Sequence, residues 1–117
     1  MKALLEPIKE IARFDELFRD LKKGTAGVTV ISGCLESQKA HMIAGLSEVA
    51  PVRLLIAENE LKAKELYEDY RLYDAETLYY PAKDLIFYQA DIHGNLLIRQ
   101  RLQVIQALLE REEVTVF

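Results

Sequence analysis

The apolar positions of this chain fall into two spacings. Leu4, Ile8, Ile11 and Ala12 form a short helical stripe, and Phe14, Leu17, Phe18 and Leu21 follow at i, i+3, i+4 and i+7. Lys22-Lys23-Gly24 then supplies cations for a last turn and a glycine beyond it, the ending expected of a helix. Val28-Thr29-Val30-Ile31 is β-branched throughout and predicts a buried strand. Helical spacing returns with Met42, Ile43, Leu46, Val49 and Ala50, closed by Pro51. Val52 to Ala57 predicts a second strand. Asn59 predicts the cap of a helix carrying Ala63, Leu66, Tyr67, Tyr70 and Tyr73 on one side. Thr77 to Tyr80 predicts a short strand before Pro81, whereas residues 81–93, with Phe87 and Tyr88, show no clear period. Ile98, Leu102, Ile105 and Leu109, flanked by Leu97, Val104 and Leu108, mark a long helix opening near Gly94-Asn95. Val114-Thr115-Val116-Phe117 predicts a fourth strand.

The order of these elements predicts the fold class. N-terminal helices occupy residues 1–24, and residues 25–117 then read strand, helix, strand, helix, strand, helix, strand. Connections of that length suit crossovers, so the expectation is α/β: a parallel sheet of about four strands with helices on both faces, RecA-like or phosphate-loop-like. The strands carry few charges, as strands covered on both faces should. Phe117 finishes a hydrophobic strand with neither a covering helix nor a polar tail. The expectation is an incomplete, truncated domain from the front of a larger chain, with an exposed sheet edge that invites self-association.

Charge narrows the partners. At 117 residues the chain is one domain at most, and its net charge is −4. The segment 58–76 is rich in Asp and Glu and carries that whole excess. A domain that grips DNA or RNA unaided is expected to be basic, with Lys and Arg gathered on one face, and no such block exists here. No apolar run approaches the roughly 18 residues that a membrane span requires, and the start, with Glu6 and Pro7, is not a signal peptide. The single cysteine, Cys34, excludes an internal disulfide and suits a reducing cytoplasm.

The turn after the first predicted strand reads Ser32-Gly33-Cys34-Leu35-Glu36-Ser37-Gln38-Lys39-Ala40. In α/β sheets this is where backbone N–H groups at a helix start face a ligand. Against the phosphate-loop pattern G-x-x-x-x-G-K-[ST], Gly33 and Lys39 match. Gln38 replaces the glycine that lets the backbone wrap close to phosphate, and Ala40 replaces the hydroxyl that ligates magnesium. Glu36 places a carboxylate inside the cradle, where it repels polyphosphate. The residues describe a vestigial loop that holds no nucleotide, no catalytic residue and no metal. A chance turn glycine and surface lysine is the competing account of the same spacing.

Other chemistry-bearing residues read as structural. His41 and His93 stand on separate segments without metal-ligand spacing and suit surface or capping positions. Cys34 has no acid–base partner in the sequence, and Ser37 and Ser47 lie in no nucleophile elbow. Tyr67, Tyr70, Tyr73, Tyr79 and Tyr80 invite a base-stacking reading, but three lie on the apolar stripe of an acidic helix, so packing is expected. Arg99 and Arg101 are expected to be solvated charges of a helix face rather than phosphate ligands.

Taken in order, these segments bring a family into view. The run Val28 to Leu46, then Leu54-Leu55-Ile56-Ala57-Glu58-Asn59, then Tyr79-Tyr80-Pro81-Ala82-Lys83-Asp84 and the helix Leu96 to Leu109 resemble the N-terminal part of bacterial transcription-repair coupling factors. That part is similar to the first ATPase-like domain of the excision-repair subunit UvrB. No single motif is diagnostic; the order carries the resemblance, over nearly the whole chain. UvrB keeps an intact phosphate loop and a long aromatic hairpin. Gln38, Ala40 and the short stretch 81–93 instead follow the coupling factor, in which this module has lost ATP binding.

The resemblance implies a non-catalytic, UvrB-like N-terminal scaffold fragment. Its parent is an ATP-driven translocase of double-stranded DNA that displaces stalled RNA polymerase and recruits UvrA for nucleotide excision repair. ATP and Mg belong, by the same implication, to distant motor domains, not to this fragment, whose own partner is the rest of its N-terminal module. Two other classes stay open from the residues: a helicase-like ATPase fragment whose phosphate loop tolerates Gln38 and Ala40, and a free-standing interaction domain of doubly wound type.

Overall fold

In the computed structural model, which describes residues 2–11, 13–24, 27–82 and 91–117, helices dominate. Helix α1 spans Lys2–Leu5 and runs into a 3-10 turn, Glu6–Glu10. Pro7 stands at the start of that turn, where its missing N–H deprives no bond. Helix α2 spans Phe14–Lys22, and Gly24 beyond it takes a φ of 65°. Helix α3 spans Glu36–Gly45 and is followed by a second 3-10 turn, Ser47–Val49. Strand β1 (Val52–Leu54), helix α4 (Glu60–Tyr70), helix α5 (Asp91–Glu110) and strand β2 (Val114–Val116) complete the order. Asn59 caps α4 as its position suggests, its Oδ1 accepting the Lys62 N–H at 2.9 Å. The first turn of α5 lies ahead of the predicted Gly94-Asn95 opening. Phe87 and Tyr88 lie outside the described residues.

The four-stranded RecA-like sheet expected from the sequence is not present. Among the described residues the sheet has two parallel strands, with Val52 beside Val114, Arg53 beside Thr115 and Leu54 beside Val116. The predicted strand Thr77–Tyr80 contributes one parallel bridge, Leu78 to Val116. It follows β2 through the Leu78 N–H on the Thr115 carbonyl at 2.9 Å and the Tyr80 N–H on the Phe117 carbonyl at 2.6 Å. The predicted strand Val28–Ile31 joins no ladder, and Val28 and Val30 stand 92% and 85% exposed.

The reason lies in the sheet's edges. Among the described residues β2 is paired on one side with β1 and on the other with Leu78, and residues 28–31 lie against neither outer edge of this small sheet. Residues 29–34 instead line a cavity against α2 and the start of α3. A β-branched run favours an extended backbone, but a strand exists only where a neighbouring backbone completes its ladder.

Two apolar clusters flank β2. Val114 and Val116 meet Val104 and Ala107 of α5, with Leu78 packed alongside. On the opposite side Phe117 meets Ala40 and Ala44 of α3 and Tyr70 of α4. This alternation follows from the strand period of two. The N-terminal segment closes on the end of α3, where Ile8 and Phe14 are buried against Gly45.

Candidate functional site

The start of α3 is where the sequence places its one ligand-binding pattern. Gly33 has a φ of 81°, a left-handed conformation that a side chain would strain, and this turns the chain toward the helix. Leu35 precedes α3 in an extended conformation and has no side-chain acceptor to cap it. Gln38 takes that role from within: its Oε1 accepts the Leu35 N–H at 3.0 Å. This is the return half of a capping box, and it occupies a backbone donor at the position where a phosphate loop needs its donors open.

Lys39 is also engaged. Its Nζ lies 2.7 Å from Glu36 Oε1, one turn back on the same helix. Both side chains are exposed, so the pair adds little to stability. Its chemical effect is local: the hydrogen bond from Lys39, and then its charge, hold the Glu36 carboxyl below the ordinary carboxylate range. The ammonium that would meet a β- or γ-phosphate therefore has a carboxylate partner already in place.

Ala40 points the other way. It is 2% exposed and belongs to the cluster with Ala44, Tyr70 and Phe117. A magnesium ligand must face the loop, and this position faces the core. Gly33, Cys34 and Gln38 do border a cavity of about 780 Å³ shared with α2. Its α2 wall carries Glu16 and Asp20, and its one cation, Arg13, donates to Glu16 at 3.0 Å. That lining is poorly suited to a polyphosphate.

Most of the remaining sequence-selected residues serve packing, and the His93 side chain lies outside those described. His41 donates from Nε2 to the Leu4 carbonyl at 2.7 Å and stacks on Tyr73 with ring centroids 5.7 Å apart, tying α3 to α1. Tyr67, Tyr70, Tyr73 and Tyr79 gather around Phe117, with Tyr70 and Phe117 centroids 5.3 Å apart. Burial, above all, pushes the Tyr70 phenol above its ordinary value. Arg101 is not a free helix-face charge: its Nε and Nη2 donate to the Pro81 carbonyl at 3.1 and 2.9 Å, and its guanidinium lies over the Tyr80 ring. Arg99 is exposed. Among the described residues no three His, Cys, Asp or Glu side chains converge as metal ligands.

One polar cluster went unread in the sequence. Arg53, the one charge between Val52 and Ala57, donates from Nε to Thr115 Oγ1 at 2.9 Å. Its Nη1 donates to the carbonyls of Ser47 at 2.6 Å and Ala50 at 2.9 Å. Thr115 in turn donates to Asp74 at 3.4 Å. A half-buried Arg inside a strand is the signal that could have found it, because a charge there needs partners. The cluster joins β1, β2, the turn after α3 and the end of α4, which makes it a fastening. No helix among the described residues is long and apolar enough to cross a membrane. No family model, no curated protein and no solved structure matches the chain.

Proposed function

We propose that this chain is a non-catalytic scaffold segment of a cytoplasmic transcription-repair coupling factor, one that holds no nucleotide itself. The observation that carries the nucleotide-silent reading is the start of α3. There Lys39 is paired with Glu36, Gln38 occupies a backbone donor, and Ala40 is packed into the core. Each of these three features opposes a different need of a phosphate loop: a free cation, open N–H groups and a magnesium ligand.

The coupling-factor assignment rests on the ordered resemblance of the segments from Val28 to Leu109 and not on a four-stranded sheet. On this reading UvrA, RNA polymerase and double-stranded DNA are partners of the parent protein, and ATP and Mg act in its motor. The segment's role is mechanical: the clusters around Phe117 and Val116 hold three helices about one short sheet, which gives a neighbouring module a fixed base.

Titration calorimetry with Mg-ATP tests the silent reading. No heat of binding at millimolar nucleotide is expected, and low-micromolar affinity would replace it with the helicase-like ATPase reading. The coupling-factor assignment has its own test in the downstream gene, which must encode motor motifs on the same chain.

A further inference from the structure

We propose that α5 is a self-association surface, pairing antiparallel with α5 of a second copy of this chain about a two-fold axis. Helix α5 has two apolar faces. One, with Val104 and Ala107, is buried on β2. The other consists of Ile98, Leu102, Ile105 and Leu109, which are 56%, 57%, 46% and 81% exposed. Their spacing of four, three and four is that of a coiled-coil seam and places them within one narrow arc of the helix. Solvent gives such a stripe no reason to exist.

The stripe fits itself. Reversing the helix about its midpoint lays Ile98 on Leu109 and Leu102 on Ile105 of the other copy, so one patch serves both sides of an isologous contact. Charge selects the same direction. Exposed Arg99 stands near the start of the stripe and Glu110 at its end. Antiparallel pairing brings each Arg99 within about a turn of the other copy's Glu110, whereas parallel pairing stacks like on like.

The apolar surface continues beyond the stripe, since Ile105 and Leu108 share a groove of about 590 Å³ with Leu54 and Ile56 of the β1 region. The exposed sheet edge expected from the sequence is a weaker candidate, since the outer strand β1 has only three residues.

Sedimentation equilibrium on the 117-residue chain reads the outcome without nucleotide, so it stands or falls apart from the proposed function. A concentration-dependent dimer is expected. Leu102→Glu combined with Ile105→Glu, both at exposed positions, should weaken it at least about a hundredfold while leaving the circular dichroism spectrum unchanged. The register has a separate readout in a Cys34→Ser background. A chain with Leu102→Cys mixed with a chain with Ile105→Cys should form the mixed disulfide in preference to either symmetric one. A monomer at millimolar concentration, a dimer indifferent to the two glutamates, or preferential symmetric cross-linking would each overturn the proposal. The first of those outcomes would leave the stripe to be covered by another chain or by a further part of this one.

Discussion

Lys39 and Glu36 meet at 2.7 Å across the first turn of α3, so the cation best placed to greet a phosphate is engaged by a carboxylate of its own helix. The hydrogen bond and the charge of Lys39 lower the Glu36 pKa. A depressed carboxylate contributes stability that is present above its unfolded value and is lost as pH falls through the folded one. For this exposed pair the loss is small. Carbonyl NMR should show Glu36 titrating below the ordinary range. Lys39→Ala should return it upward, and a Glu36 curve indifferent to that substitution would break the link.

Ala40 tests whether this helix start can accept the phosphate-loop pattern. Introducing that pattern's hydroxyl as Ala40→Thr places a larger, polar side chain in the cluster with Tyr70 and Phe117. The expected result is a loss of about 1 to 3 kcal/mol in urea unfolding, from overpacking and an unmet hydroxyl. No Mg-ATP affinity should appear in calorimetry of the same variant.

Gly45 sets how closely the N-terminal segment approaches α3. A Cβ there would lie 2.9 Å from Ile8 Cδ1 and 3.0 Å from Phe14 Cζ. Gly45→Ala therefore sets a helix-propensity gain of about 1 kcal/mol against a clash that Ile8 and Phe14 must relieve by moving. In an Ile8→Ala background the nearest clash is gone and the propensity gain should emerge. A double-mutant cycle by chemical unfolding should give a coupling of about 1 kcal/mol between the two positions, and additivity would refute the contact.

What the sequence disclosed follows from how local each signal is. Asn59 announced its helix because an N-cap acts on the next three residues. The β-branched Val114-Thr115-Val116 run announced a strand and found its ladder in β1. Val28-Thr29-Val30-Ile31 carried the same signal and found none, because pairing depends on which backbone stands alongside, and no local pattern encodes that. At the start of α3 the departure from the phosphate-loop pattern was legible as residue types, Gln38 and Ala40. The self-capping by Gln38 and the burial of Ala40 were not, since both need the helix in place. The role of Arg53 is not legible in the local sequence, because its partners, Ser47, Ala50 and Thr115, come from both sides of it in the chain and one lies far away.

Arg53 supports a prediction of its own. Its guanidinium joins β1 to Thr115 of β2 and to two carbonyls of the preceding turn. Arg53→Ala should destabilise the chain by about 2 to 3 kcal/mol, because hydrogen bonds from a charged donor are lost and their acceptors are left half-buried. Arg53→Lys should recover only part of that, since an ammonium lacks the planar fork that reaches Thr115 and the turn together. Thermal unfolding of the two variants distinguishes a fastening from a solvated charge, for which both changes would be nearly silent.

Tyr70 links the core to alkaline pH. It is 1% exposed, and burial is the largest cause raising its phenol above the ordinary value of 10.0; the Thr115 hydrogen bond and the charge of Arg53 pull it back only in part. In the unfolded chain the same phenol ionises near 10, so between that value and the folded one the native state retains a proton that the unfolded state releases. Stability from Tyr70 is thus complete below about pH 10 and declines as pH rises toward the folded value. Tyr79, also raised chiefly by burial, acts in the same direction. Absorbance at 295 nm should show a late phase of phenol ionisation that coincides with loss of the helical circular dichroism signal. In Tyr70→Phe, which keeps the ring against Phe117 and removes the ionisable group, alkaline unfolding should move to higher pH. An unshifted midpoint would mean that other groups set the alkaline limit.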